Sequence, residues 1–129
     1  MSKVVLVTGS RDWRDSALIA RVLEMLAPDL LVEGGARGAD RIASVWAQGK
    51  GVKTVRVVAH WDEYGKKAGA IRNSAMLDLY PKADVVAFPL PSSIGTYDCI
   101  RKAVKRGHKV MVVKPSGDWS IITSEDPRD

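Results

Sequence analysis

The fold is decided by residues 30–47, which read LLVEGGARGADRIASVWA. Three apolar residues, 30–32, precede Gly34, Gly35 and Gly38, which directly precede a segment of helical period. In that segment apolar residues recur on one helical face, at Ala39, Ile42, Ala43, Trp46 and Ala47. The stretch therefore predicts a strand, a glycine-rich turn and an amphipathic helix that ends at Gly49 and Gly51.

The same unit of strand and helix recurs on both sides of this stretch. Short apolar or β-branched runs predict further strands at 3–7, 53–58, 84–88 and 109–113. Apolar residues between these runs predict three further helices, with faces at Leu18, Val22, Met25 and Leu26, at Ala68, Ile71, Ala75 and Leu79, and at Ile100, Ala103 and Val104. We therefore predict an α/β domain over residues 1–113, with a five-stranded parallel sheet and helices on both faces. Residues 114–129 are expected to pack partly and to fray at the end.

Composition excludes several classes of protein and site. The 129 residues include 20 basic and 15 acidic side chains, which gives a net charge of +5. No apolar run approaches the roughly 18 to 20 residues of a membrane span, and a signal peptide is not apparent, so we expect a cytoplasmic protein. A single cysteine and two histidines predict neither an internal disulfide nor a metal site. The basic excess favours anionic partners, although solubility alone would also explain it.

The loop after the first strand, 8–13, is chemically rich. Ligands of parallel α/β sheets bind beyond the carboxyl ends of the strands, where this loop begins. Gly9 would let the backbone approach a ligand, while Ser10 and Arg11 would donate hydrogen bonds to an anion. The alternative is a tight turn with a surface arginine.

The loop after the second strand holds Gly34, Gly35 and Gly38 directly before a helix. Such a glycine cluster suggests a nest of backbone N–H groups for phosphate, with Arg37 as a neutralising cation. Its spacing matches neither the dinucleotide-binding nor the P-loop pattern. Asp40 is expected to cap the helix that follows, and acceptance of a ribose hydroxyl is the alternative.

The segment after the third strand alternates aromatic and basic side chains. Trp61 and Lys66 suit a base stacked beside a phosphate, although Trp61 would also serve to cover the core. Arg72 lies one residue beyond the buried helix face, next to Asn73. A cation near a helix N-terminus opposes the helix dipole, which favours a ligand role for Arg72.

The segment after the fourth strand ends in serine, glycine and threonine at a helix start. Gly95 and Thr96 form a further candidate anion site there. Ordinary capping of the helix by Ser93 or Thr96 is the alternative.

Four motifs, taken in order, resemble a known family. They are TGSRDW (8–13), VEGGARGAD (32–40), the span from Trp61 through YGKKAGAIRN to Met76, and AFP leading to GTYD. Over residues 4–113 the chain is similar to the YspA/YpsA-related branch of the SLOG superfamily. Its relatives include the lysine decarboxylase-like LOG phosphoribohydrolases and the DNA-processing protein DprA. The resemblance implies a Rossmann-like three-layer fold, a nucleotide or nucleotide-derived ligand at the strand ends, and a homo-oligomer.

The LOG enzymes add a catalytic expectation. They cleave an N-glycosidic bond with an arginine and with the glutamate of a P-G-G-x-G-T-x-x-E loop. Arg72 matches the arginine, and Gly95 and Thr96 match the Gly-Thr pair. The paired glycines are missing, however, and Cys99 stands where the glutamate would be. Asp98 lies one residue earlier, about 100° around a helix.

Three functions follow from these observations. The first is binding or sensing of a nucleotide-derived ligand, without a metal or cofactor. The second is N-glycosidic hydrolysis of nucleoside monophosphates, in which Arg72 orients the substrate while Asp98 stabilises the oxocarbenium ion or activates water. The third is DprA-like binding of single-stranded nucleic acid. The expected ligand-binding residues are Gly9, Ser10, Arg11, Trp13, Gly34, Gly35, Arg37, Gly38, Asp40, Trp61, Lys66, Arg72, Asn73, Gly95 and Thr96.

Overall fold

The computed structural model describes residues 2–123, in which six strands form one sheet. The strands are β1 (Val4–Gly9), β2 (Leu30–Glu33), β3 (Lys53–Arg56), β4 (Asp84–Phe88), β5 (Val110–Val113) and β6 (Trp119–Ile122). Their order across the sheet is β3-β2-β1-β4-β5-β6, and β1 to β5 are paired in parallel. The five predicted parallel strands are confirmed.

The predicted strand count is nevertheless wrong by one, because β6 adds an antiparallel edge strand to β5. Trp119 pairs with Val113 after a tight turn, in which the Gly117 N–H donates to the Lys114 carbonyl at 2.8 Å. Gly117 has a φ of +93°, a conformation that favours glycine. A four-residue strand carries too little periodicity to be distinguished from a loop. The fraying predicted for the chain end falls on residues 124–129, outside the described range.

Five helices connect the strands, and local chemistry sets several of their ends. They are α1 (Ser16–Leu26), α2 (Ala39–Lys50), α3 (Trp61–Tyr64), α4 (Ala68–Leu79) and α5 (Ile94–Lys105), with a short 3-10 turn at Gly65–Lys67. Asp15 caps α1, since its Oδ1 accepts the Leu18 N–H at 3.0 Å. Gly51 closes α2 in the left-handed conformation. Within residues 2–123 no helix has the length and apolar character needed to cross a membrane.

Two hydrophobic cores lie on opposite faces of the sheet. Val5 and Val7 of β1 pack into the core beneath α1 and α2, while Leu6 packs into the core beneath α4 and α5. Because both faces of the sheet are covered, its central strands carry continuous apolar runs, 4–7 and 85–88, instead of alternating apolar and polar residues. The predicted Rossmann-like three-layer arrangement is confirmed.

The strand order places a crevice between β1 and β4. The chain leaves β1 toward β2 and leaves β4 toward β5, so the connections diverge at this point of the sheet. The Ser10 N–H donates to the Phe88 carbonyl at 2.9 Å and extends the pairing to the ends of both strands. Open α/β sheets bind their ligands outside the carboxyl ends of strands at such a reversal.

Candidate functional site

A cleft of about 520 Å³ opens at the carboxyl ends of β1 and β4, and we refer to it as the first cleft. It is lined by the end of β1, by the segments that follow the parallel strands, and by parts of α4 and α5. Of the residues predicted from sequence, it brings together Gly9, Ser10, Arg11, Asp40, Trp61, Lys66, Arg72, Asn73, Gly95, Thr96 and Asp98. Gly34, Gly35 and Arg37 line a neighbouring cleft, and Gly38 and Trp13 line neither.

The floor of the first cleft consists of buried polar side chains. Thr8, Ser10, Asp40, Asn73 and Thr96 all line the cleft and are each at most 7% exposed. Buried polar groups are retained in proteins when they have hydrogen-bond partners or contact a ligand. Ser10, Asp40 and Asn73 have such partners within the protein, so the first cleft has an ordered polar floor.

Asn73 connects α4 to the first turn of α5. Its Nδ2 donates to the Gly95 carbonyl at 3.1 Å and to Asp98 Oδ2 at 3.2 Å. Its Oδ1 accepts the Arg72 Nε–H at 3.1 Å. Asn73 thus fixes the position of the α5 N-terminus relative to Arg72.

The N-terminus of α5 keeps free hydrogen-bond donors. Ser93 is the N-cap residue, but its hydroxyl accepts the Leu90 N–H at 3.0 Å instead of an N–H of the helix. The Gly95 and Thr96 N–H groups donate to no residue within 2–123. Side-chain capping by Ser93 is therefore wrong as an alternative, and two N–H groups remain at the edge of the first cleft.

The predicted phosphate nest at Gly34 and Gly35 is wrong, because its N–H groups already have partners. Asp40 Oδ2 accepts the Gly34 and Ala36 N–H groups at 3.1 and 3.3 Å. Glu33 Oε1 accepts the Gly35 N–H at 2.6 Å. Asp40 is therefore not the cap of α2, whose N-cap residue is Gly38. The two carboxylates hold the loop in place of an external anion.

Two of the predicted glycines serve close packing. A Cβ on Gly9 would collide with the Cβ of Ala39, so glycine allows α2 to approach β1. Gly38 has a φ of +79°, and a Cβ there would collide with the carbonyl oxygens of Ser10 and Arg11. Gly38 therefore allows the two loops to pack closely, and it lines neither cleft.

Arg72 lies between the loop after β2 and the start of α4. Its Nη1 donates to the Gly34 carbonyl at 2.7 Å, in addition to the Nε–H bond to Asn73. The same side chain lines both clefts. Arg72 thus has a structural role that the sequence did not indicate, in addition to its predicted place in the first cleft.

The two candidate tryptophans have different environments. Trp61 is 49% exposed, and the Arg11 guanidinium lies 5.8 Å from its ring centroid. Trp13 is 3% exposed, contacts Phe88 edge to face, and donates its Nε1–H to the Asp15 carbonyl. The prediction that Trp13 faces a ligand is wrong, because its ring fills the core beneath α1. Trp61 is the aromatic side chain that the first cleft presents.

Cys99, at the position of the LOG glutamate, and Asp98, one residue earlier, have different environments. Asp98 lines the first cleft, with Lys102 Nζ at 3.0 Å from Oδ2 and Arg101 Nη2 at 3.8 Å from Oδ1. Cys99 is fully buried in the core beneath α4 and α5. Burial raises the pKa of the Cys99 thiol to about 11, so it stays neutral and unreactive at physiological pH. Asp98 is the side chain of this pair that reaches the cleft.

Several residues of the site were missed from sequence. Thr8 and Arg101 line the first cleft, and Glu33 holds the neighbouring loop. No sequence signal marked Glu33, since its partner Arg56 lies beside it only through the pairing of β2 with β3, where the two charges are 2.9 Å apart. Among residues 2–123 no three acidic, histidine or cysteine side chains cluster as metal ligands would.

The pKa of Asp40 is raised from its usual 3.8 to about 7. Burial is the main cause and the nearby Glu33 adds to it, while Arg72 and the backbone N–H groups of Ala36 and Gly34 lower the pKa. At a pH between these two pKa values, Asp40 holds a proton in the folded protein that it has released in the unfolded chain. The free energy of unfolding should therefore fall as the pH rises from about 4 to 7, with a contribution of at most about 1.4 kcal/mol per pH unit.

An Asp40→Asn variant should lose this part of the pH dependence. The amide oxygen still accepts the Gly34 and Ala36 N–H groups, but it does not titrate. Urea unfolding at pH 5, 6, 7 and 8 measures the effect. The unfolding free energy of the variant should increase relative to that of the wild type as the pH rises. A difference in unfolding free energy that stays constant from pH 5 to 8 would contradict this assignment.

Comparisons with known proteins agree with the architecture. A family model described as the YspA, cpYpsA-related SLOG family matches residues 3–64. The Gene 61 protein of Mycobacterium phage D29 is 43% identical over 121 residues, which cover 83% of this chain and 93% of the phage protein. The fold is similar to that of DNA processing protein A (DprA) from Streptococcus pneumoniae, with a TM-score of 0.54 and 20% identity over 84% of this chain.

These comparisons differ in what they establish. The chain spans 58% of the DprA chain, and at 20% identity that likeness concerns the fold alone. The phage protein matches over nearly its whole length. The family model covers β1 through α3, including the first two motifs singled out in the sequence. The chain therefore belongs to the YspA, cpYpsA-related SLOG family.

Proposed function

We propose that the protein binds a nucleotide or a nucleotide-derived phosphate ester in the first cleft. The observation that carries this proposal is the pair of free N–H groups, Gly95 and Thr96, at the start of α5. Such groups attract phosphate because they lack intrahelical partners and lie at the positive end of the helix dipole. The buried polar floor beside them offers hydrogen bonds to a sugar.

The charged and aromatic side chains of the first cleft support the same ligand. Arg11, Lys66 and Arg72 line it together with Trp61, a half-exposed ring that suits stacking on a base. Its volume of about 520 Å³ lies in the usual range of small-molecule sites.

N-glycosidic hydrolysis of a nucleoside monophosphate is the second candidate function. It is favoured by one observation, the Asp98 carboxylate that lines the same cleft as Arg72. Asn73 and Lys102 hold this carboxylate in place, so it would stabilise a developing oxocarbenium ion without reorganisation. Lys102 also partly neutralises the carboxylate, which disfavours its use as a base. We therefore rank binding first.

A calorimetric comparison of AMP with adenosine tests the proposal. AMP should bind at least about tenfold more tightly, because charge-assisted hydrogen bonds to the phosphate add to the contacts of the nucleoside. Incubation of the wild type and of Asp98→Asn with AMP, followed by chromatography, then separates the two functions. Adenine released by the wild type alone would establish hydrolysis, and its absence from both would leave binding. Equal affinities for AMP and adenosine would contradict a phosphate site.

A further inference from the structure

A second cleft of about 550 Å³ adjoins the first, beside the loop after β2 and the start of α2. Four arginines line it: Arg11, Arg37, Arg41 and Arg72. Its other walls are small or apolar residues and Trp61, and no acidic side chain of residues 2–123 lines it. The first cleft, in contrast, contains Asp12, Asp40 and Asp98 as well as cations.

The positive charge of the second cleft is poorly compensated within the protein. Arg41 forms no ion pair with any residue of 2–123. Arg37 approaches Asp12 at 3.5 Å, but both side chains are more than two-thirds exposed, and such pairs contribute little. A concave surface with several guanidinium groups raises the local concentration of anions. The cleft is thus suited to an anion that the chain itself does not supply.

The charged donors of the second cleft are the guanidinium groups of its arginines. The N–H groups of Gly34, Gly35 and Ala36 already donate to Asp40 and Glu33. Guanidinium groups bind phosphoryl oxygens through paired N–H donors and remain charged at all physiological pH values. The chemistry of this cleft therefore favours a phosphoryl group over a carbonyl or a neutral sugar.

The two clefts are adjacent. Arg11, Ala36, Trp61 and Arg72 line both of them, so a ligand bound in the first cleft beside Trp61 lies next to the second. Each volume is that of a separate small-molecule subsite. One extended ligand could then place a phosphoryl group in each cleft.

We propose that the second cleft binds a second phosphoryl group of the same ligand. The ligand class is accordingly a nucleotide with at least two phosphoryl groups, such as a nucleoside diphosphate or a nucleoside diphosphate joined to a further sugar. This inference rests on the proposed function, because it requires that the first phosphate occupy the α5 N-terminus. Arg41, which lines only the second cleft, determines specificity for the longer ligand.

Calorimetry with AMP, ADP and ADP-ribose at one ionic strength tests this inference. ADP or ADP-ribose should bind the wild type at least about tenfold more tightly than AMP. Arg41→Gln should remove most of that gain and change the AMP affinity less than about twofold. Arg21→Gln is the matched control, since it removes the same charge from an exposed position of α1 that lines neither cleft. It should leave all three affinities unchanged.

Other outcomes separate this inference from the proposed function. If AMP binds but neither ADP nor ADP-ribose binds more tightly, the inference is overturned and the first site stands. If both arginine variants lose equal affinity for AMP and for ADP-ribose, net charge explains the effect, and the inference is overturned as well. If only a single-stranded oligonucleotide responds to Arg41→Gln, the cleft serves a nucleic-acid strand instead. If no mononucleotide binds, both proposals fail.

Discussion

Arg72→Ala should weaken AMP binding by about 100-fold, the largest effect that we expect from a single surface-accessible side chain. Each charge-assisted hydrogen bond contributes about 1.5 to 3 kcal/mol, and Arg72 also positions other groups. Its guanidinium bonds the Gly34 carbonyl and Asn73, and Asn73 in turn holds the first turn of α5. Removing it would therefore delete a cation and release the helix end that presents the phosphate donors.

Two further variants show which of these roles matters. Arg72→Lys keeps the charge but does not supply the fork that reaches both Gly34 and Asn73, so it should recover less than half of the lost binding free energy. Arg14→Ala removes a charge from an exposed position outside both clefts and should bind AMP normally. Calorimetry gives the affinities, and thermal unfolding gives the accompanying loss of stability. Wild-type affinity in Arg72→Ala would remove Arg72 from the binding site.

Gly38→Ala should destabilise the protein by about 2 to 4 kcal/mol, because it combines backbone strain with a steric collision. Gly38 has a φ of +79°, and its Cβ would meet the carbonyl oxygens of Ser10 and Arg11. Either the turn or the neighbouring loop must move, which would also distort the entrance of the first cleft. The midpoint of thermal unfolding should fall by roughly 10 °C.

Gly49→Ala is the control for this prediction. Gly49 lies in α2 with no atom within 4 Å of a Cβ at that position. Alanine there should stabilise the helix by about 0.5 to 1 kcal/mol, because it restricts the unfolded chain. The midpoint of thermal unfolding should therefore fall in Gly38→Ala and rise in Gly49→Ala. Equal midpoints for Gly38→Ala and the wild type would show that the turn tolerates a side chain.

The architecture could be predicted from sequence because periodicity reports burial directly. Central strands carry continuous apolar runs such as 85–88, and helices between them carry one apolar face, which together specify a parallel sheet covered on both sides. The edge strand β6 was missed, since its four residues lack a distinguishing period. The homo-oligomer implied by the resemblance stays a prediction.

Where the candidate residues lie could be predicted from sequence more successfully than what each of them does. Loops that leave parallel strands share one edge of the sheet, so most candidates lie together for a topological reason. Which N–H groups are free depends on the path of each loop, and the glycines at 34 and 35 gave no sign that Glu33 and Asp40 occupy theirs. Likewise, composition does not separate Trp13, which fills the core, from Trp61, which faces the cleft.

The most direct test is an AMP titration followed by amide nuclear magnetic resonance, read residue by residue. The central claim places the phosphate at the start of α5, where the Gly95 and Thr96 N–H groups are free. Their amide signals should shift most, while those of Gly34 and Gly35 shift little because their N–H groups already donate to carboxylates. The largest shifts at Gly34 and Gly35, with α5 unchanged, would contradict the claim.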